Sequence, residues 1–296
     1  MAEPLARAVD VTRRYGDALA LDRVTVEIRA GELVGLLGPN GAGKSTLINL
    51  LVGLRRPTAG RVELFGGDPR DPARRRHIGV TPQETGLPPT LRVGECVDFV
   101  AAHYPDPVDR EELLGRFGLD GLAGRQTGGL SGGQKRRLAV ALAFVGRPRL
   151  VFLDEPTTGL DAAARRALWD GIRAFHAEGG TVLLTSHYLD EIEELAQRAV
   201  VLASGRVIAD DTVDAIRGLV AVRRVSLVAH DLPPLPGVLS MEQTDGRTHL
   251  MTADSDRLVR ELIGSGADFR DLEIRATSLE EAFLTITDRA TAGSPR

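Results

Sequence analysis

The chain has 296 residues, of which 43% are hydrophobic and 26% are charged, and its formal net charge is -4. This balance is typical of a folded globular protein with one large and one small domain, and it excludes an intrinsically disordered chain. It also provides no cationic field for nucleic acid, and no apolar run approaches the roughly 20 residues that span a bilayer.

Two kinds of strand are predicted along the first two thirds of the chain. Val24, Val26 and Ile28 alternate with polar residues, as do Val62 and Leu64, which predicts half-buried strands in an antiparallel layer. Short, continuously apolar runs separated by helical stretches indicate instead a parallel sheet that is buried on both faces. These runs are residues 33–37, 150–153, 182–184 and 200–202.

The remaining patterns predict a helical insertion and a second domain. Residues 89–148 have helical periodicity interrupted by Gly and Pro, so we expect helices there. We place a first domain at 1–217, a small α+β domain at 218–290 and a disordered tail at 291–296. The second domain has predicted strands at 225–228 and 269–274, a hairpin turn at Asp245-Gly246, a helix at 255–263, and a final helix opened by a Ser278/Glu281 capping box.

A phosphate-binding loop is predicted at residues 38–46, which read GPNGAGKST between an apolar strand and a helical run. Glycines allow backbone N–H groups to converge on an anion, and the start of the helix adds a favourable dipole. Lys44 can reach the outer phosphates, and Ser45 can ligate Mg²⁺. The predicted nucleotide-contacting residues of this loop are Gly38, Asn40, Gly41, Gly43, Lys44, Ser45 and Thr46.

Two adjacent carboxylates, Asp154 and Glu155, follow the apolar strand 150–153. Beside a phosphate-binding loop, this is the position of a Mg²⁺-facing Asp and of a water-activating Glu. Adjacent side chains point in different directions, which suits two separate roles. These two motifs alone leave kinases and GTPases open.

A third motif, LSGGQ at residues 130–134, stands immediately before a predicted helix and offers a second anion site at a helix start. Taken in order with Lys44 and Asp154, it resembles the signature motif of the ATP-binding cassette (ABC) ATPases. The resemblance implies an α/β P-loop NTPase cassette with a parallel core sheet, an antiparallel β subdomain and a helical subdomain at about 89–148. The signature residues expected to bind ATP are Ser131, Gly132, Gly133 and Gln134.

The same resemblance implies roles for four further residues. Tyr15 resembles the aromatic residue that stacks on adenine, and Gln83 resembles the Q-loop glutamine that contacts Mg²⁺ and the transmembrane partner. Asp161 matches the D-loop at the dimer interface, and His187 matches the switch histidine near the γ-phosphate. Catalytic roles are thereby implied for Lys44, Gln83, Glu155 and His187, and Mg²⁺ ligation for Ser45, Gln83 and Asp154.

The phosphate-binding turns at 38–46 and 130–134 are so far apart along the sequence that they can reach one nucleotide only across a dimer. In the family, two cassettes bind two ATP molecules head to tail. The implied activity is therefore ATP hydrolysis in a dimer with a second copy of the chain or with a paralogous cassette.

Segments 187–191 and 276–284 are similar to the ABC-2 type, daunorubicin-resistance-like drug exporters. This likeness implies a separate transmembrane permease, for which residues 84–100 would form part of the dock. The single cysteine, Cys96, and an N-terminus without the apolar core of a signal peptide favour a cytoplasmic location. The exporter resemblance implies that the chain is peripheral on the inner face of the membrane.

Two alternatives are weighed against this interpretation. A non-transport ABC ATPase that acts on ribosomes or DNA is disfavoured by the single cassette, by the lack of a long heptad insertion and by the negative net charge. A P-loop kinase or GTPase is disfavoured by residues 130–134 and by the lack of an Asn-Lys-x-Asp sequence for base recognition.

Overall fold

The computed structural model describes residues 3–81, 86–186, 188–218, 223–229, 232–244, 246–276, 278–283 and 287. The chain divides into two units, Met1–Thr212 and Val213–Arg296. The sequence places the domain boundary after residue 217, at the end of a short helix that the structure assigns to the second unit. The predicted tail, 291–296, lies outside the described residues.

The first unit is an α/β assembly with the following elements. Its strands are β1 Ala6–Tyr15, β2 Ala18–Ile28, β3 Leu33–Leu37, β4 Ala59–Leu64, β5 Ile78–Thr81, β6 Leu150–Asp154, β7 Thr181–Thr185, β8 Arg198–Ala203 and β9 Arg206–Thr212. Its helices are α1 Lys44–Leu51, α2 Pro72–Arg75, α3 Val93–Ala101, α4 Arg110–Arg116, α5 Gly132–Leu142, α6 Ala162–Ala177 and α7 Leu189–Leu195.

The central sheet has the strand order β5-β6-β7-β3-β8-β9. Its first five strands are parallel, and β9 pairs antiparallel to β8 at the edge. The four predicted apolar runs are β3, β6, β7 and β8, and nearly all of their residues are buried. The prediction of a parallel sheet covered on both faces is confirmed.

The predicted antiparallel layer is a three-stranded sheet in the order β2-β1-β4. Alternation in the sequence predicts β2 and β4 but not β1, the central strand, whose pairing shifts register at several points. Leu21 and Val26 of this layer join Leu47 and Leu50 of α1 and Leu36 of β3 in one buried core. This core holds the start of α1 against both sheets.

The predicted insertion at 89–148 contains α3, α4 and α5, with a 3-10 turn at Thr127–Gly129. Its core includes Phe117 and Phe144, whose ring centroids lie 5.0 Å apart. Together with the two sheets, this helical part confirms the predicted cassette architecture. None of the helices in the described part of the chain is both long and apolar enough to cross a membrane.

The second unit is a small α+β domain. Its elements are α8 Val213–Gly218, β10 Arg223–Ala229, β11 Val238–Thr244, β12 Arg247–Thr252, α9 Ser255–Gly264 and β13 Phe269–Ala276. The sheet is antiparallel in the order β11-β12-β10-β13, and Val225, Leu250 and Leu258 belong to its core. Strands β11 and β12, on either side of the predicted hairpin turn, pair antiparallel with Thr244 opposite Arg247, and Asp245 of that turn lies outside the described residues. The predicted capping box is also present: the Ser278 N–H donates to Glu281 Oε2 at 2.9 Å, and the Glu281 N–H donates to Ser278 Oγ at 3.2 Å.

Candidate nucleotide-binding site

The phosphate-binding loop leaves the buried strand β3 at Gly38 and enters α1 at Lys44. Gly43 has a φ of 105°, in the left-handed region that favours glycine. A Cβ at this position would lie 2.6 Å from the Ala20 carbonyl oxygen and 2.6 Å from Leu21 Cδ2. Only glycine therefore fits here without moving the backbone, which explains the tight entry into the helix.

The start of α1 is open to an anion. Gly43 is the N-cap and provides no side-chain hydrogen bond to the first turn, and the first turn contains no acidic residue. The unpaired N–H groups of a helix start and its dipole favour phosphate oxygens. Seven residues of the loop and helix start, together with Ala20 and Glu155, line a cavity of about 400 Å³. The seven are Asn40, Gly41, Ala42, Gly43, Lys44, Ser45 and Thr46.

Lys44 is 7% exposed, and its ammonium is held by its own loop. Nζ donates to the Gly38 carbonyl at 2.6 Å and to the Pro39 carbonyl at 3.2 Å. Burial lowers the pKa of this ammonium, and the Glu155 and Asp154 carboxylates oppose the shift. A cation kept close to the loop in this way can exchange carbonyl oxygens for phosphate oxygens when a nucleotide binds.

The two adjacent carboxylates accept hydrogen bonds from different residues, as their adjacency predicts, and Glu155 Oε2 accepts one from Thr158 Oγ1 at 3.5 Å. Asp154 Oδ1 accepts a 2.6 Å hydrogen bond from Thr185 Oγ1 on the neighbouring strand β7. The Glu155 N–H donates to the same hydroxyl at 3.0 Å, and Glu155 has a φ of 50°, a strained conformation for a residue with a side chain. With this backbone conformation, Glu155 lies in the wall of the phosphate-loop cavity.

Ser131 and Gln134 of the signature motif belong to the same unit, but they are not among the residues that line this cavity. They form a capping box at the start of α5. The Gln134 N–H donates to Ser131 Oγ at 3.2 Å, and the Ser131 N–H donates to Gln134 Oε1 at 3.0 Å. Gly132 and Gly133 occupy the first turn of the helix.

Four other predicted residues have the following places. Tyr15 ends β1, and the guanidinium carbon of Arg13 lies 4.5 Å from the centroid of its ring. Asp161 caps α6, since its carboxylate accepts a 2.8 Å hydrogen bond from the Ala164 N–H. Gln83 and His187 lie outside the described residues, so their roles stay predictions.

The donor set predicted for Mg²⁺ is a hydroxyl, a carboxylate and an amide oxygen, from Ser45, Asp154 and Gln83. Among the described residues there is no group of three or more His, Cys, Asp or Glu that would enclose a metal ion. Mg²⁺ is usually held by one or two carboxylates together with substrate phosphates and water, so this oxygen set fits it without such a cage.

Two residues of this site are not among those predicted from the sequence. Thr185, which hydrogen bonds to both Asp154 and Glu155, could have been found as a polar residue that ends a buried apolar run. Arg136, on α5, donates to backbone carbonyls of the segment that begins at Asp154. Its sequence neighbourhood gives no signal of this long-range contact.

Comparison with known proteins agrees with this geometry. The ABC_tran family, described as ABC transporter, matches residues 21–158. The daunorubicin resistance ATP-binding protein DrrA2 of Streptomyces coeruleorubidus is 35% identical, over 96% of this chain and 95% of that protein. The Nod factor export ATP-binding protein I of Burkholderia thailandensis is 37% identical, over 94% of this chain and 95% of that protein.

Solved structures give the same answer. The dimeric structure of MJ0796, a bacterial ABC transporter cassette, matches with a TM-score of 0.63 and 28% sequence identity. The match covers 70% of this chain and 98% of that cassette. A second structure of that cassette, in a post-hydrolysis state bound to ADP and Pi, has a TM-score of 0.62 and 28% identity, with the same coverage. These findings confirm the resemblance to the ABC-2 type exporter group, and the chain belongs to the ABC transporter family as an ATP-binding subunit with an ATPase cassette.

Proposed function

We propose that this ATPase hydrolyses MgATP in a head-to-tail dimer and thereby drives export through a separate transmembrane permease. The observation that carries the proposal is the position of Glu155 in the wall of the cavity formed by Lys44, Ser45 and the other residues of the phosphate loop. A phosphate-binding surface and a carboxylate that can act as a base thus face the same space.

The residues of the cavity divide the work of hydrolysis. Backbone N–H groups at the start of α1 bind the phosphates, and Lys44 moves its hydrogen bonds from the loop carbonyls to phosphate oxygens. Ser45, Asp154 and Gln83 would hold Mg²⁺, which neutralises charge on the phosphates when it is bound. Glu155 orients the attacking water and accepts its proton. His187 would contact the γ-phosphate.

The second half of each site would come from another cassette. The start of α5 presents Gly132 and Gly133 in its first turn, while Ser131 and Gln134 close a capping box around it. Because these residues do not line the chain's own phosphate cavity, they would complete the site of the partner. The dimeric cassette structure that this chain resembles supports that arrangement. The partner is a second copy of the chain or a paralogous cassette.

The names of the relatives, which describe drug resistance and Nod factor export, support an exporter role. They give no support to a role on ribosomes or DNA. The predicted dock for the permease, 84–100, includes most of α3. Phe99 on this helix is 66% exposed, and its ring centroid lies 5.2 Å from that of His103. We propose that this aromatic pair is part of the permease contact, and that the chain works on the cytoplasmic face of the membrane.

The hydrolysis part is tested with purified protein and a phosphate-release assay. Lys44→Ala should remove most ATP affinity and nearly all turnover, because one cation offsets several phosphate oxygens in a partly desolvated site. Arg61→Ala, at an exposed position on β4, is the control and should keep the wild-type rate. Wild-type turnover in the Lys44 variant would refute the assignment of the site.

The export part is tested by sequencing the genes beside this one and expressing the chain with a product that has about six predicted membrane spans. The chain should sediment with membranes only when that protein is present, and Phe99→Ser should weaken this association while leaving basal ATP hydrolysis unchanged. Sedimentation that does not depend on the membrane protein would contradict the proposed partner.

A further inference from the structure

Two adjacent arginines on α5 bind different parts of the first unit. Arg136 is only 6% exposed, and its guanidinium donates to three consecutive backbone carbonyls: Nη2 to Asp154 and to Glu155, each at 2.7 Å, and Nε to Pro156 at 3.1 Å. Burial lowers the pKa of this guanidinium, and the carboxylates of Asp154, Glu155 and Glu191 oppose the shift. A buried cation therefore binds the backbone of one short segment.

That segment carries the proposed catalytic base. Glu155 has a left-handed φ of 50°, a conformation that persists only where surrounding contacts enforce it. Thr185 holds its N–H, and Arg136 holds its carbonyl together with those on either side. Because the guanidinium is a rigid planar fork, these bonds fix the orientation of successive peptide planes and hence the direction of the Glu155 side chain.

The next residue of the segment is held from another side. Thr157 Oγ1 donates at 2.9 Å to Glu191 on α7, a carboxylate with no exposed surface. The other oxygen of Glu191 accepts a 2.9 Å hydrogen bond from Trp169 Nε1 on α6. The segment 154–157 is therefore attached to α5, α6 and α7, and Arg136 supplies the attachment to α5.

The same helix begins with the signature motif, and Arg136 stands only two residues after Gln134. We propose that Arg136 is a positioning residue that couples ATP contact at the start of α5 to the placement of Glu155 in the chain's own site. The inference rests on the proposed dimer, in which the start of α5 contacts the nucleotide of the partner. Each chain would then relay the occupancy of one ATP site to the base of the other.

Arg137 provides a matched control. It follows Arg136 on the same helix, and its Nη1 also donates to backbone carbonyls, at 3.0 Å to Phe117 and at 2.6 Å to Gly118. These carbonyls lie just after the end of α4 and not in the segment with Glu155. Loss of either arginine removes similar chemistry from the same helix, so only a role at the site should separate the two variants.

The first experiment compares Arg136→Gln, Arg136→Lys and Arg137→Gln by ATP hydrolysis, fluorescent-nucleotide binding and thermal unfolding. Arg136→Gln should lower kcat about 100-fold, the effect of an ångström-scale misplacement, while nucleotide affinity stays within about twofold. It should also accumulate as an ATP-bound dimer on size-exclusion chromatography. Arg136→Lys should recover part of kcat, because an ammonium keeps the charge but cannot reach all three carbonyls. Arg137→Gln should keep the wild-type kcat.

The second experiment does not depend on hydrolysis. Backbone hydrogen exchange should accelerate at residues 155–160 in Arg136→Gln and at residues near 117–119 in Arg137→Gln. Equal kcat in the two glutamine variants, or unchanged exchange at 155–160 in Arg136→Gln, would overturn the inference. A wild-type chain that does not hydrolyse ATP would count against the proposed function, whereas the exchange comparison would still decide the role of Arg136.

Discussion

Replacing Glu155 by Gln is the most direct test of the hydrolytic site. The substitution keeps the size of the side chain and removes its charge and its basicity. The backbone should not move, because Thr185 and Arg136 hold Glu155 through its N–H and carbonyl. The effect should therefore be confined to the carboxylate that faces the phosphate cavity.

The size of the effect follows from the role of this side chain. A positioned general base contributes about 10² to 10⁴ in rate. At about 1.4 kcal/mol for each factor of ten, its loss raises the barrier by about 3 to 5 kcal/mol. ATP affinity should not fall, since Lys44 and the N–H groups of α1 are unchanged and a negative charge near the triphosphate has been removed.

The assay combines phosphate release with size-exclusion chromatography in ATP, with and without Mg²⁺. The variant should be nearly inactive and should elute as a dimer that holds two nucleotides. Glu111→Gln, at an exposed position on α4, is the matched control and should behave as wild type. Hydrolysis by Glu155→Gln at the wild-type rate would refute the reasoning. An inactive variant that stays monomeric would refute the self-paired dimer and indicate a paralogous cassette or a dimer that needs its permease.

Three further predictions test other parts of the molecule. His187→Ala should leave ATP binding nearly intact and suppress turnover, and equal loss of both in parallel binding and rate measurements would indicate a structural histidine. A chain that ends at Thr212 should remain soluble and bind ATP, because the first unit has its own core; an insoluble product would show a shared core. Burial raises the pKa of Glu191 above its ordinary 4.5, so the folded state binds the proton more tightly than the unfolded state and stability falls as pH rises above that value. Thermal unfolding across pH should therefore show Glu191→Gln gaining on wild type as pH rises, and a constant difference would contradict the buried-carboxylate argument.

Much of the core sheet was predictable from sequence because β3, β6, β7 and β8 are continuous apolar runs. Strand β5 was not, since it has only four residues and one of them is Gly79. A Cβ there would come within 1.9 Å of the Ala143 carbonyl oxygen, so close packing against the end of α5 requires the glycine that weakens the pattern. Edge strand β9 was not predicted either, because it is polar and partly exposed.

The candidate site shows the same division between local and long-range information. The phosphate loop could be predicted because spacing alone defines the turn and the helix start. The direction of Glu155 could not, because it depends on a left-handed φ that contacts from Thr185 and Arg136 stabilise. Those partners lie 30 and 19 residues away along the chain, and only tertiary packing brings them to the segment.

The bond between Trp169 and Glu191 gives the protein an intrinsic optical probe. The chain contains a single tryptophan, and its indole N–H donates to the carboxylate that also binds Thr157. The guanidinium carbons of Arg165 and Arg173 lie 5.4 and 6.0 Å from the centroid of its ring. Charges this close shift the emission of an excited indole, so we expect a displacement of Thr157 that moves Glu191 to change the fluorescence of this one residue. Nucleotide-driven motion can thus be followed by stopped-flow emission on the unlabelled wild-type chain.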